Sequence, residues 1–223
     1  MYSSNSKFMR ADEYKILSNE GNGEYREKGS KFIAFSYIFE DLDQLDKILL
    51  SLKKQHPKSR HFCYAYRLSP KSNQYRINDD GEPRGTAGLP IYNQILSNEC
   101  YNILVVVVRY FGGTKLGASG LTKAYKTAAE LCMNDSEMRI KYDTTDCMIE
   151  YDFRYSGTLQ DILKTLSISI IDNEYTIPPK MRVELRASES DLQIRKVKAN
   201  LLSRPLEDID EETEISDISF EYQ

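Results

Sequence analysis

Apolar residues recur along the chain at two spacings, every second position and every third or fourth, and these spacings divide it into strands and helices. In the C-terminal half, residues 147–153 (CMIEYDF) alternate as a half-buried strand does, and residues 155–166 then set Leu159, Ile162, Leu163 and Leu166 on one helical face. Residues 167–177 (SISIIDNEYTI) are β-branched and alternating. Pro178 and Pro179 interrupt them as a turn would, and residues 181–187 (MRVELRA) supply another alternating stretch. Ser188 reads as the N-cap of a helix, with Asp191 three residues on and Leu192, Val197, Leu201 and Leu202 as apolar positions; Pro205 ends it. After the acidic run 207–214, residues 215–222 make a last strand in which Ile218 and Phe220 alternate with polar neighbours. The order β-α-β-β-α-β predicts a ferredoxin-like domain, two helices on one face of a four-stranded sheet.

The N-terminal half is also mixed, placing the whole chain in the α+β class. Residues 14–17 and 30–39 (SKFIAFSYIF) read as strands, and residues 42–54 carry Leu42, Leu45, Ile48, Leu49 and Leu52 at helical spacing. Residues 60–68 alternate, and residues 85–97 can form a helix. Residues 102–108 are almost wholly apolar, the pattern of a strand covered on both faces of its sheet. A helix over residues 120–133 follows, with Leu121, Ala124, Ala128 and Leu131 turned inward. The polar segment 134–144 reads as a short linker, so the expected domains are residues 1–137 and 138–223.

Composition narrows the class. With 40% hydrophobic and 29% charged residues, the chain has enough apolar side chains for packed cores, which argues against wholesale disorder. Residues 1–30 are polar and charged, with no signal-peptide pattern, and the longest apolar run, Ile103 to Val108, is far short of the roughly 20 residues of a membrane span. The four cysteines, Cys63, Cys100, Cys132 and Cys147, are widely spaced and form no CxxC. Together these features predict a soluble, cytoplasmic protein with reduced, buried thiols and no membrane partner. The net charge of −4 divides unevenly: residues 1–135 hold 19 Lys and Arg against 15 Asp and Glu, a balance of +4, and the remainder hold 11 against 19, a balance of −8. The two halves therefore suit different partners, or each other.

Three segments could carry chemistry. In residues 60–67 (RHFCYAYR), His61, Cys63, Ala65 and Arg67 share one strand face, which looks polar, and Arg60, Phe62, Tyr64 and Tyr66 share the other. Residues 78–88 (NDDGEPRGTAG) are dense in acids and glycines, and Asp79, Asp80 and Glu82 are candidates to hold a hard cation through oxygen, although the spacing matches no EF-hand loop and acidic turns are common in solvent. Residues 108–126 (VRYFGGTKLGASGLTKAYK) run from a buried strand through a glycine-rich loop into a helix. Free amides of Gly112, Gly113, Gly117 and Gly120, the helix N-terminus, and Arg109, Lys115, Lys123 and Lys126 would favour an anion there, and no Asp or Glu occurs between Cys100 and Ala129. A purely structural role for these glycines, letting helix pack tightly on sheet, accounts for them as well. The segment spells neither GxxxxGK[ST] nor GxGxxG, so no nucleotide cofactor is implied. With only His56 and His61 in the chain, a metal centre built on several histidines is excluded.

The segments YAYR (Tyr64 to Arg67), NDDGEPRGTAGLPI (Asn78 to Ile91) and VVVRYFGGTKLGASGLTKAY (Val106 to Tyr125) resemble the IMPACT/YigZ family, in order over about 100 residues. That resemblance implies a first domain with the fold of ribosomal protein S5 domain 2 and a C-terminal domain similar to domain V of elongation factor G. Both of those relatives work on ribosomal RNA. Taken with the residues, it makes a non-enzymatic, translation-linked protein binding RNA or a ribosomal particle the leading expectation. The expected contacts are Arg60, His61, Arg67, Arg84, Arg109, Tyr110, Phe111, Gly112, Gly113, Lys115 and Lys123. A protein-binding regulator and a divalent-metal hydrolase using Asp79, Asp80 and Glu82 are the alternatives, and no cofactor is expected.

Overall fold

The computed structural model describes residues 12–222. It divides into two compact units, one of residues 14–141 and one that joins Asp12 and Glu13 to residues 142–222. The initial residues 1–11 of the expected first domain, and Gln223, lie outside the described residues. No helix among the described residues is long and apolar enough to cross a membrane.

The first unit is built on a five-stranded antiparallel sheet of order β2-β3-β6-β4-β5: β2 (Asn22–Glu27), β3 (Ser30–Ile38), β6 (Ile103–Tyr110), β4 (His61–Arg67) and β5 (Tyr75–Asn78). The apolar run of β6 follows from its place at the centre, because both of its faces are covered. Ile103, Val105 and Val107 pack with Phe32, Ala34, Cys63 and Ala65 beneath α2 (Gly88–Ser97) and α3 (Gly117–Asp135). Leu104, Val106 and Val108 pack with Phe62, Tyr64 and Tyr66 and the apolar stripe of α1 (Leu45–Gln55) on the other side. Strand β4 is therefore buried on both faces, and the polar face expected of residues 61, 63, 65 and 67 does not meet solvent over its centre: Cys63 and Ala65 are fully buried.

Three short strands escaped the periodicity argument. β2 and β5 lie at the edges of the sheet, where one side stays in water and polar residues are tolerated. β7 (Glu137–Tyr142) runs through the segment expected to be a linker and pairs with β1 (Glu13–Asn19) in a two-stranded sheet. Leu131, expected inward on α3, is exposed, and Tyr125, Cys132 and Met133 fill the core instead.

In the second unit, β8 (Thr144–Tyr151), α4 (Ser156–Thr165), β9 (Ser169–Glu174), β10 (Lys180–Arg186), α5 (Ser190–Leu202) and β11 (Ile218–Tyr222) keep the expected strand and helix order. The sheet order is β11-β8-β10-β9, antiparallel throughout. Cys147, Ile149, Met181, Val183 and Leu185 meet Leu159, Leu163, Ile194 and Val197 of the two helices in one core. Ser188 does not cap α5: its hydroxyl donates to Asp12 Oδ2 at 2.5 Å, and a short turn over residues 187–189 precedes the helix. Asp12 in turn accepts from both Arg186 Nε (2.7 Å) and Nη2 (3.0 Å), fastening the start of the described chain to the end of β10. All four cysteines are free and buried.

Candidate nucleic-acid interface

The pattern of β6 puts Arg109 one residue beyond a run of buried valines, beside Phe32 of β3 and His61 of β4. A guanidinium there must find a partner, since an isolated buried charge is strongly unfavourable. It finds Glu82: Nη1 meets Oε1 at 2.5 Å, and the two side chains are only 6% and 4% exposed. Glu82 also accepts from the Tyr125 hydroxyl at 2.8 Å, and Cys63 Sγ reaches that hydroxyl at 3.3 Å and the Asp79 carbonyl at 3.0 Å. Burial, first of all, raises the Cys63 thiol and the Tyr125 phenol above their ordinary pKa, so both are neutral, poorly reactive members of this thread. Arg109 is thus an internal residue that ties the acidic turn to β6, while Glu82 carries the link on to Tyr125 of α3, and the expected surface contact with an anion does not exist at this position.

The acidic turn is consumed in the same way. The Asp79 carboxylate accepts from the amides of Gly85 (2.8 Å), Ala87 (3.0 Å) and Gly88 (2.9 Å), capping α2 from outside the helix. Asp80 accepts from the Phe62 amide at 2.7 Å and, through its carbonyl, lies 2.9 Å from His61 Nδ1. Three carboxylates close in sequence therefore serve three separate partners, and no group of metal-ligating side chains occurs among the described residues.

The glycine loop divides in two. Gly112 gives its amide to Ser30 Oγ at 3.1 Å and lies so close to Gly29 that a Cβ would stand 1.9 Å from the Gly29 carbonyl carbon. Its amide is not free for a ligand, contrary to expectation, and its role is close backbone approach. Gly113 (φ +88°) and Gly117 (φ +73°) are different: both need a left-handed conformation, and a Cβ at either would meet nothing within 4 Å. Around them Phe111 is 57% exposed and Lys115, Lys123 and Lys126 stand in solvent. Arg60 and Arg84 are exposed too, and among the described residues none of these five cations has a carboxylate partner.

Two expected contacts belong elsewhere. Tyr110 is half-buried on the α1 side, with its hydroxyl 2.8 Å from His56 Nδ1, so Phe111 is the ring presented outward. Arg67 sits at the far end of β4, about 20 Å along the strand from His61 at the usual strand rise, stacked 3.5 Å over Tyr101 and donating to its hydroxyl. The structure therefore gathers the exposed loop 111–117 and the cations of α3, and leaves Arg67, Arg109 and Tyr110 outside that surface. The internal role of Arg109 had a legible signal: an arginine attached to an unbroken buried strand requires a carboxylate, and the nearby NDDGEP turn offered three.

Comparison with known proteins agrees with the motifs. A model of the Impact N-terminal domain matches residues 28–133. The chain is 30% identical over 164 residues to the IMPACT family member YigZ of Escherichia coli, covering 73% of this chain and 80% of that protein. It is 29% identical over 150 residues to an IMPACT family member of Haemophilus influenzae, covering 66% and 73%. A crystal structure of a hypothetical protein superposes with a TM-score of 0.67 at 26% identity, covering 87% of this chain and 93% of that one. Motif order, the matched domain and a relative aligned over four-fifths of its length place this chain in the IMPACT family.

Proposed function

We propose that this protein is a non-enzymatic, translation-linked regulator that binds RNA, alone or within a ribosomal particle, through the loop 111–117 and the exposed face at the start of α3. The observation that carries this reading is the combination of an outward aromatic, Phe111, two unobstructed left-handed glycines and unpaired lysines at the head of a 19-residue helix. Amides, helix dipole and ammonium groups favour a phosphate backbone, and an exposed ring favours unstacked bases over a closed duplex. Arg60, Arg84 and His61 belong to the same reading as flanking contacts. The first unit is read as ribosomal protein S5 domain 2-like. The second is read as ferredoxin-like and similar to domain V of elongation factor G, a reading supported by its fourth-first-third-second strand order. Both folds in those relatives meet ribosomal RNA, which supports the assignment by analogy of fold.

Filter binding to single-stranded and structured RNA at two salt concentrations tests the proposal. Lys115→Ala and Lys123→Ala should each weaken binding and each lower the salt slope by about 0.7 to 0.9. Affinity indifferent to salt and to both substitutions overturns it. A partner that co-purifies and survives nuclease treatment points instead to a protein-binding regulator.

A further inference from the structure

Between α2 and α3 lies a cleft of about 240 Å³, next to the proposed RNA surface and sharing Lys126 with it. Its walls follow from helical spacing. Leu89, Pro90 and Gln94 fall on one face of α2, and Thr122 and Lys126, four apart, fall on one face of α3. Gly85 forms the lip, immediately after the exposed Arg84.

Gln94 is the informative residue. It is only 8% exposed, it lines the cleft, and its side-chain amide has no hydrogen-bond partner among the described residues. Its neighbours Ser97 and Asn98 use its main-chain carbonyl and not its side chain. The amide is not sealed from water, since the buried and unpaired side-chain atoms among the described residues belong to Arg109 and Arg182, so its donor and acceptor stay open through the cleft to an entering group. Its donor and acceptor together match a ligand that presents an acceptor and a donor side by side. Leu89 and Pro90 offer an apolar surface of the kind a flat ring packs on, Thr122 carries a hydroxyl, and Lys126 supplies a cation with no carboxylate partner among the described residues.

The geometry points to a nucleobase pocket: the cleft takes one unstacked base of a single-stranded RNA, read on its edge by the Gln94 amide, with the attached phosphate turned to Lys126. Amide side chains pair with adjacent donor and acceptor atoms of a base edge, and single-stranded RNA is recognised by holding splayed bases in this manner. The inference rests on the RNA reading above and adds to it a site that would give base preference, which the lysine-rich loop cannot.

The test uses the full chain and the four nucleoside 5′-monophosphates, with ribose 5-phosphate and N-acetyl-leucinamide as controls, followed by amide chemical shifts. The expected result is saturable shifts around residues 85–94 and 122–126 with at least one mononucleotide. Gln94→Leu should weaken that binding at least tenfold with the unfolding midpoint kept. Thr122→Val should weaken binding with the midpoint unchanged. Equal shifts with ribose 5-phosphate reduce the site to anion binding and overturn the proposal, as does stronger binding of the acetylated amide, which would mark a peptide groove. Absence of mononucleotide binding at 10 mM (on the order of the weakest useful affinity), or a Gln94→Leu variant that binds as before, overturns it equally. Failure of the loop reading registers separately, as unchanged RNA affinity in Lys115→Ala and Lys123→Ala.

Discussion

Two charged side chains decide what the most distinctive motifs of this chain do. Arg109 and Glu82 belong to segments that suggest ligand chemistry, yet they face each other inside the first unit with Tyr125 as a third member. Breaking such a pair leaves the other charge buried and uncompensated, which costs about 3–5 kcal/mol. Glu82→Ala should therefore lower the unfolding free energy by about that amount in denaturant titration, and adding Arg109→Met should restore most of the loss. A full-strength RNA complex at the surface of a folded Arg109→Met, Glu82→Leu protein is the matching expectation, because neither side chain contacts the exterior. Arg109 Nε has no partner in the buried pair, so the arginine is held by one arm of its guanidinium and by the aromatic rings 5.5 Å away, Phe32 and Phe111. Phe111 thereby joins the interior network to the outward loop.

At the scale of elements, legibility followed burial. β6 and α1 were evident because both must bury apolar side chains, and burial imposes a period on the sequence. β2, β5 and β7 were not, since Asn22–Glu27, Tyr75–Asn78 and Glu137–Tyr142 are short, mostly exposed and held by backbone pairing, which leaves no pattern in the side chains. The candidate site divided along the same line. Exposure of Lys123 and Lys126 could be read from an amphipathic helix, whereas the division of labour between Gly112 and Gly113 could not, because it depends on Gly29, more than eighty residues away in the chain. The NDDGEP turn illustrates the converse, a motif whose density was plain and whose purpose was not. Asp79 holds three amides at the head of α2, a helix with no capping side chain of its own at Ala87. Replacing Asp79 with alanine should cost about 1–2 kcal/mol and speed hydrogen exchange of the Gly85, Ala87 and Gly88 amides ahead of the rest of the first unit.

Across the whole molecule the chain starts its described course in one unit, passes through the other and returns. Asp12 fastens that beginning, and its hydrogen bonds from Arg186, with help from Ser188, outweigh burial and hold its carboxyl below the ordinary 3.8. A depressed carboxylate pKa adds stability that is complete above the unfolded value and is lost as pH falls through it toward the folded value. Asp12→Asn should therefore destabilise the second unit at pH 7, and the gap from wild type should close progressively below about pH 4, as measured by denaturant midpoints across a pH series. The cysteines complete the picture on this scale. Burial, the leading influence on each, lifts the thiols of Cys100 and Cys132 to about 12 and that of Cys147 to about 11. Since only the thiolate reacts, each sulfur is a timer that starts when its surroundings open. Cys63, Cys100 and Cys132 keep time for the first unit and Cys147 for the second, so alkylation of the unaltered protein reports, without any inserted label, which half breathes first.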